Sequence, residues 1–134
     1  MKKSFKRVVL VLCTKNEEKN ILDVLKSAKK YVDKIIVVDG NSKDKTIEMV
    51  KKYKDIDIFY DTGKGKGEAI RIAISKSNVN DILIFMDADG SHLPSDIPLI
   101  LEEFNKGSDL VIASRGKGGS DELSGDFEKC IRLI

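Results

Sequence analysis

The sequence predicts an α/β fold, a mostly parallel sheet with helices on both faces. Five short apolar runs alternate with amphipathic stretches. Several runs are apolar at every position instead of every second one, as in strands buried on both faces. Strand–helix–strand repeated in this way requires crossover connections, which make neighbouring strands parallel.

The first run is RVVLVLC, Arg7 to Cys13, followed by TKNEE. Asn16 is a good helix N-cap, and Glu17 and Glu18 suit the positive end of a helix. Ile21, Leu22, Leu25, Ala28 and Val32 then form one apolar stripe. The second run, KIIVVD, spans Lys34 to Asp39 and turns at Gly40 and Asn41. Asp44 reads as the N-cap of a helix carrying Ile47, Val50 and Tyr53. The third run is IDIFY, Ile56 to Tyr60, and TGKGKGEA leads from it into a stripe of Ile70, Ala73 and Ile74. The fourth run is DILIFMD, Asp81 to Asp87. LPSDIPL starts a helix with Ile97, Ile100, Leu101 and Phe104 on one side, and Gly107 stops it. The fifth run is DLVIAS, Asp109 to Ser114. The closing FEKCIRLI places Phe127, Cys130, Ile131 and Ile134 at helical spacing with no stop signal, so a parent chain continuing beyond Ile134 is expected.

Composition removes several function classes. Apolar residues at 41% and charged residues at 34% describe an ordinary globular chain of 134 residues, one domain in length. A formal net charge of +2 offers no general case for nucleic-acid binding. No segment approaches the length of a membrane span, and the apolar run behind MKKSFKR is too short for a signal peptide. Two cysteines without metal-ligand or redox spacing fit a reducing cytoplasm, and one histidine makes a structural zinc site improbable.

In open α/β sheets the ligand sits outside the carboxyl ends of the strands, where the strand order reverses. The polar groups of this chain collect at those ends: CTKNEE, VVDGNSKD, DTGKGKGE, MDADGSH and ASRGKGG. Asp87 and Asp89 follow a buried strand two positions apart, so in extended chain both point the same way. Aligned carboxylates suit a hard divalent cation, which in turn bridges phosphates. Asp, Gly and Ser are also turn formers, but unpaired carboxylates after a buried strand are costly, and the strand-end position favours the metal. Asp39 accepts hydrogen bonds either from a nucleoside or from its own turn, and the crevice favours the ligand. A helix start is the stronger reading of Asn16, Glu17 and Glu18, with a reach of Thr14 and Glu17 to a nucleoside as the alternative. The glycines of TGKGKGEA let backbone N–H groups approach an anion, with Lys64 and Lys66 beside them. This loop matches neither standard phosphate-binding pattern. His92 packs beside the metal loop, and Arg115 is a phosphate candidate at the end of the fifth run.

In order and spacing, VVLVLCTKNEEKNI, IIVVDGNSKDKT, GKGEAIRIAI, ILIFMDADGSHLPSDIP and DLVIASR resemble the family 2 glycosyltransferases. The chain is most similar to their dolichyl-phosphate mannosyltransferase and polyprenyl-phosphate sugar transferase branch. The resemblance implies a GT-A, Rossmann-like fold over residues 1–134, a nucleotide-sugar donor, Mg²⁺ or Mn²⁺, and inversion at the anomeric carbon. It places Thr14 and Glu17 in the nucleoside loop, Asp39 on the base or ribose, and Lys66 beside the nucleotide. Asp87, Ala88 and Asp89 fall on the ribose–diphosphate–metal cluster, with Asp89 and Arg115 at the chemistry. Ser91 stands where that branch has a metal-shell glutamine. Cys13 and Lys15 replace a common proline and tyrosine, and Gly40 replaces a second aspartate, which leaves base and sugar open.

Departure of a nucleoside diphosphate builds negative charge that a metal offsets. No convincing Glu-Asp base follows the metal motif; Asp121, Glu122, Asp126 and Glu128 are the acids of the closing stretch. A polyprenyl or dolichyl phosphate acceptor is already anionic and needs no base; the other expectation is a base beyond Ile134. The expected partners are therefore a nucleotide-sugar donor and a lipid phosphate met by a peripheral protein at the cytoplasmic face of a membrane. The closing apolar stripe needs cover from further chain, a second subunit in a homo-oligomer, or the membrane. Lys117, Lys129 and Arg132 would suit an anionic lipid phosphate. A domain that binds donor without transferring sugar is the alternative. A receiver-like domain would want acids after the first strand, and a nucleotidyltransferase a glycine-rich loop there, where CTKNEE stands.

Overall fold

The computed structural model describes residues 7–108, 110–112 and 131–133. They divide into two compact units at Pro94. The first carries a four-stranded parallel sheet of β1 (Arg7–Thr14), β2 (Lys34–Asp39), β3 (Asp57–Tyr60) and β4 (Asp81–Asp87), in spatial order β3-β2-β1-β4. Its helices are α1 (Ile21–Ala28), α2 (Thr46–Val50) and α3 (Lys66–Lys76).

The strand order runs from β1 through β2 to β3, then returns to place β4 on the other side of β1. Right-handed crossovers carry α1 and α2 to one face and the returning α3 to the opposite one. Val9 to Leu12 are all fully buried, as are Val37 and Val38, so the central strands are covered on both faces. On the α3 face, Ala69 and Ala73 pack with Val9, Val11, Ile36 and Val38, and Phe59, Ile72 and Leu83 border them. The buried stripe of α3 is therefore Ala69, Ile72 and Ala73, one position away from the expected Ile70, Ala73 and Ile74, and Ile74 faces solvent. Two alanines let the helix axis come close to the sheet, and that contact decides the rotation of the helix. On α1, Val24 is buried along with Ile21, Leu25 and Ala28, whereas Leu22 is half-buried.

DILIFMD is apolar throughout yet alternates in burial: Ile82, Ile84 and Met86 are buried and Phe85 is 38% exposed. β4 ends the sheet among the described residues, and the side carrying Phe85 is its less covered face. Arg7 ties β4 to β1 at their amino ends, with Nε and Nη2 donating to the two carboxylate oxygens of Asp81 at 2.9 and 3.2 Å. The parallel register sets Thr14 opposite Asp39, Cys13 opposite Asp87, and Asp39 opposite Tyr60. All four strands therefore finish level at one edge.

In the second unit a 3-10 turn, Pro94–Asp96, leads into α4 (Ile97–Asn105). Gly107, at φ +106°, donates its N–H to the Phe104 carbonyl and ends the helix where expected. Within the fifth run, Leu110–Ile112 forms β5, which pairs antiparallel with β6 (Ile131–Leu133). Residues 131–133, expected at helical spacing, are thus a strand. Antiparallel pairing with β5 satisfies their backbone groups, and that long-range partner is invisible to a local apolar period. No helix among the described residues is long and apolar enough to cross a membrane.

Candidate active site at the carboxyl ends of the strands

The order of the sheet reverses between β1 and β4, and a crevice of about 300 Å³ lies there. Thr14, Glu17, Lys66, Asp87, Ala88 and Asp89 are among its lining residues, so six of the expected site residues meet in one place. Asp39 and Ser91 are not in its lining, and Arg115 lies outside the described residues.

The loops after β1 and β2 are bound to each other. Asn16, at φ +55°, donates its N–H to the Ser42 hydroxyl at 2.8 Å and accepts the Lys43 N–H on Oδ1 at 2.7 Å. Instead of capping α1, Asn16 clamps the second loop; Asn20 occupies the cap position. The Glu17 N–H donates to the Thr46 hydroxyl at 2.8 Å, and that hydroxyl donates to Asp44. Asp44 also accepts the Thr46 N–H at 3.0 Å and the Glu18 N–H at 3.2 Å, so it holds both the start of α2 and the first loop. Desolvation pushes its pKa up, but the bonds from Thr46 and Glu18 together hold it below the ordinary carboxylate value.

Asp39 is the hub of this assembly. It is 1% exposed; Oδ1 accepts the hydroxyls of Thr14 at 2.7 Å and Ser42 at 2.6 Å, and Oδ2 accepts the Ser42 N–H at 2.8 Å. Both oxygens are thus used by the chain itself. Thr14, 4% exposed, spends its hydroxyl hydrogen on that carboxylate while lining the crevice.

The loop after β3 brings a carboxylate that the motifs did not single out. Asp61 lines the crevice, and its Oδ1 accepts the Gly63 N–H at 2.8 Å. A Cβ on Gly40 would lie 3.6 Å from Asp61 Oδ2, so the absent side chain there leaves Asp61 open to the crevice. Its place at a strand end was the available signal. Glu68, in the first turn of α3, reaches back to accept the N–H and hydroxyl of Thr62, both at 2.5 Å. This fixes the loop from which Lys66 projects, and Lys66 Nζ lies 2.6 Å from Asp87 Oδ1.

At the end of β4, the Asp87 N–H donates to His92 Nδ1 at 2.9 Å, which folds the following loop back on the strand. Gly90, at φ +84°, makes the turn, and Asp89 Oδ1 accepts the Ser91 N–H at 2.9 Å and hydroxyl at 2.5 Å. The turn and the carboxylate pair therefore coexist. The bonds from Ser91 hold the Asp89 pKa below its ordinary value, so Asp89 is ionised at neutral pH. Burial raises the Cys13 thiol pKa, leaving Cys13 a protonated wall residue.

Among the described residues no group of three or more His, Cys, Asp and Glu side chains converges as a metal cage. Mg²⁺ and Mn²⁺ bound with a nucleotide need fewer protein ligands, typically one or two carboxylates completed by phosphate and water. Asp87 and Asp89 fit that demand, and Asp87 already accepts a cation, the Lys66 ammonium.

Comparison with known proteins agrees with this architecture. The family described as glycosyl transferase family 2 matches residues 9–129. A UDP-N-acetylglucosamine–dolichyl-phosphate N-acetylglucosaminyltransferase of Methanococcus voltae is 31% identical over 133 residues, covering 84% of this chain and 53% of its own. A dolichol-phosphate mannosyltransferase of Pyrococcus furiosus is 33% identical over 134 residues, covering 93% of this chain and 38% of its own. The chain spans about half the length, or less, of these curated relatives. Among solved structures, glucosyl-3-phosphoglycerate synthase from Mycobacterium tuberculosis in complex with UDP superposes with a TM-score of 0.63 at 26% identity, covering 75% of this chain and 40% of its own. The same enzyme with Mn²⁺, UDP-glucose and phosphoglyceric acid gives a TM-score of 0.61 at 25% identity, with the same coverage. The sheet with its reversal at β1 and β4 is a GT-A fold, and the chain belongs to glycosyl transferase family 2.

Proposed function

We propose that residues 1–134 form the donor-binding catalytic domain of an inverting glycosyltransferase. It moves a sugar from GDP-mannose or a UDP-sugar to a polyprenyl or dolichyl phosphate. The observation that carries this is the meeting of Asp87, Asp89 and Lys66 with Thr14 and Glu17 in one crevice at the reversal of the sheet. The lipid acceptor is supported by the activities of the two similar dolichyl-phosphate sugar transferases.

Asp87 and Asp89 would hold Mg²⁺ or Mn²⁺, which supplies positive charge to the departing nucleoside diphosphate. Ser91 fixes the orientation of Asp89 through two hydrogen bonds. Lys66 offers a second positive charge to the diphosphate, and Asp61 and Glu17 offer acceptors to nucleoside hydroxyl or N–H groups. Asp39 acts at one remove, by setting the position of Thr14. Arg115 is the candidate for the acceptor side. A phosphate oxygen on the lipid attacks without prior deprotonation, so the crevice needs no general base for this acceptor.

Calorimetry with UDP and GDP, each with Mn²⁺ and with EDTA, tests donor binding. Equal affinity in both conditions would overturn the metal assignment. Sugar transfer to a polyprenyl phosphate, measured for this chain and for a longer parent, tests the acceptor. Tight donor binding without transfer by either protein would favour the alternative, a domain that binds nucleotide-sugar without catalysis.

A further inference from the structure

Lys66 is the first residue of α3, and its neighbours Gly65 and Gly67 have no side chains. Nothing lies within 4 Å of a Cβ built on Gly65, and only Arg71 Nη1, at 3.5 Å, approaches one on Gly67. Neither glycine is packed against, while the Thr62–Glu68 bonds hold the loop, so the part free to move is the Lys66 side chain itself. The Lys66 side chain is 64% exposed, enough to lie entirely in water. Its ammonium instead reaches Asp87 Oδ1 at 2.6 Å, on a carboxylate that is 27% exposed.

We infer that Lys66 is a resident counter-cation, which holds the place of the divalent ion on Asp87 and moves to the donor diphosphate when nucleotide binds. This rests on the proposal that Asp87 and Asp89 take a metal together with a nucleotide. An ammonium and a divalent ion cannot share one carboxylate oxygen at contact distance without strong repulsion, so the two compete for Asp87. A diphosphate relieves the competition by giving Lys66 a second anionic partner in the same crevice. Metal and nucleotide then each bind weakly alone and strengthen each other, by the same factor in both directions. Without either, Lys66 offsets the negative charge of Asp87, which lines the crevice together with Asp89.

The test follows Mn²⁺ binding through the electron paramagnetic resonance of the free ion, first with Mn²⁺ alone and then with UDP or GDP present. The proteins are the wild type, Lys66→Met and Lys64→Met, the last removing one positive charge from the same loop. An exposed ion pair of this kind contributes modestly, so Lys66→Met should bind Mn²⁺ alone about two- to fivefold tighter. The strengthening of Mn²⁺ binding by nucleotide should shrink by at least that factor, and Lys64→Met should match the wild type. If Lys66→Met binds Mn²⁺ alone no tighter than Lys64→Met does, while the wild type still binds Mn²⁺ with nucleotide, the counter-cation role is wrong and the metal site stands. If no protein binds Mn²⁺ in either condition, the metal site fails and the counter-cation role with it.

Discussion

Asp39→Ala separates two ways in which a buried strand-end carboxylate can serve this crevice. The substitution removes the acceptor of three donors: the Thr14 hydroxyl, the Ser42 hydroxyl and the Ser42 N–H. Ser42 is half-buried and can recover water, but Thr14 is 4% exposed and is left with an unpaired hydroxyl. Stranding a buried polar group costs about 1–3 kcal/mol, and each lost charge-assisted bond about 1.5–3 kcal/mol before rehydration. Release of a desolvated carboxylate offsets part of this, which leaves a net loss of roughly 2–4 kcal/mol. For a chain of this size that corresponds to a fall in Tm of about 8–16 °C. Asp39→Asn should not restore stability, because its amide presents a donor to Thr14 or Ser42. Urea denaturation and thermal melts, run beside nucleotide calorimetry, give the answer. An unchanged Tm together with a tenfold or greater loss of nucleotide affinity would refute the hub role and put Asp39 on the ligand.

Asp89→Ala should abolish most of the Mn²⁺-dependent affinity for UDP or GDP in calorimetry, while stability changes by less than about 1 kcal/mol because the residue is exposed. Gly65→Ala should destabilise by about 1–3 kcal/mol in urea, since φ +99° and ψ −177° suit glycine alone; the strain should also weaken nucleotide binding by displacing Lys66. Acid stability should depend on Arg7. Its guanidinium, through the hydrogen bond first, holds the Asp81 pKa below the ordinary value. That stability is present above the unfolded pKa near 4 and is lost as pH falls through the lower folded value, so Arg7→Met should flatten the pH dependence of Tm below about pH 4. An unchanged acid limb would argue against the bridge.

Much of the site was legible because strand ends are punctuated in the sequence. Apolar runs stop where polar residues begin, so CTKNEE, VVDG, DTGKGKG and MDADG announce one edge of the sheet before any contact is known. Which side chain at that edge faces a ligand was not legible. Asp39 and Asp61 each close or follow a strand, yet the register turns Asp39 onto Thr14 and Ser42 and leaves Asp61 in the crevice wall. Asn16 and Glu17 read as a helix start, whereas long-range partners on the next loop take their polar groups.

By itself, the sequence determined the alternation of strands and helices, the parallel sheet, and the glycine stop of α4. Each is a local matter of apolar period, crossover length or backbone freedom, and local chemistry is written in consecutive residues. Tertiary structure alone decided the rotation of α3 onto Ala69 and Ala73, the pairing of β5 with β6, and the contact of Lys66 with Asp87. Those outcomes join residues distant in the chain, and their energies depend on which surfaces meet. A lysine in a glycine loop and an aspartate 21 residues later carry no mark of each other until the sheet reverses and places their loops side by side.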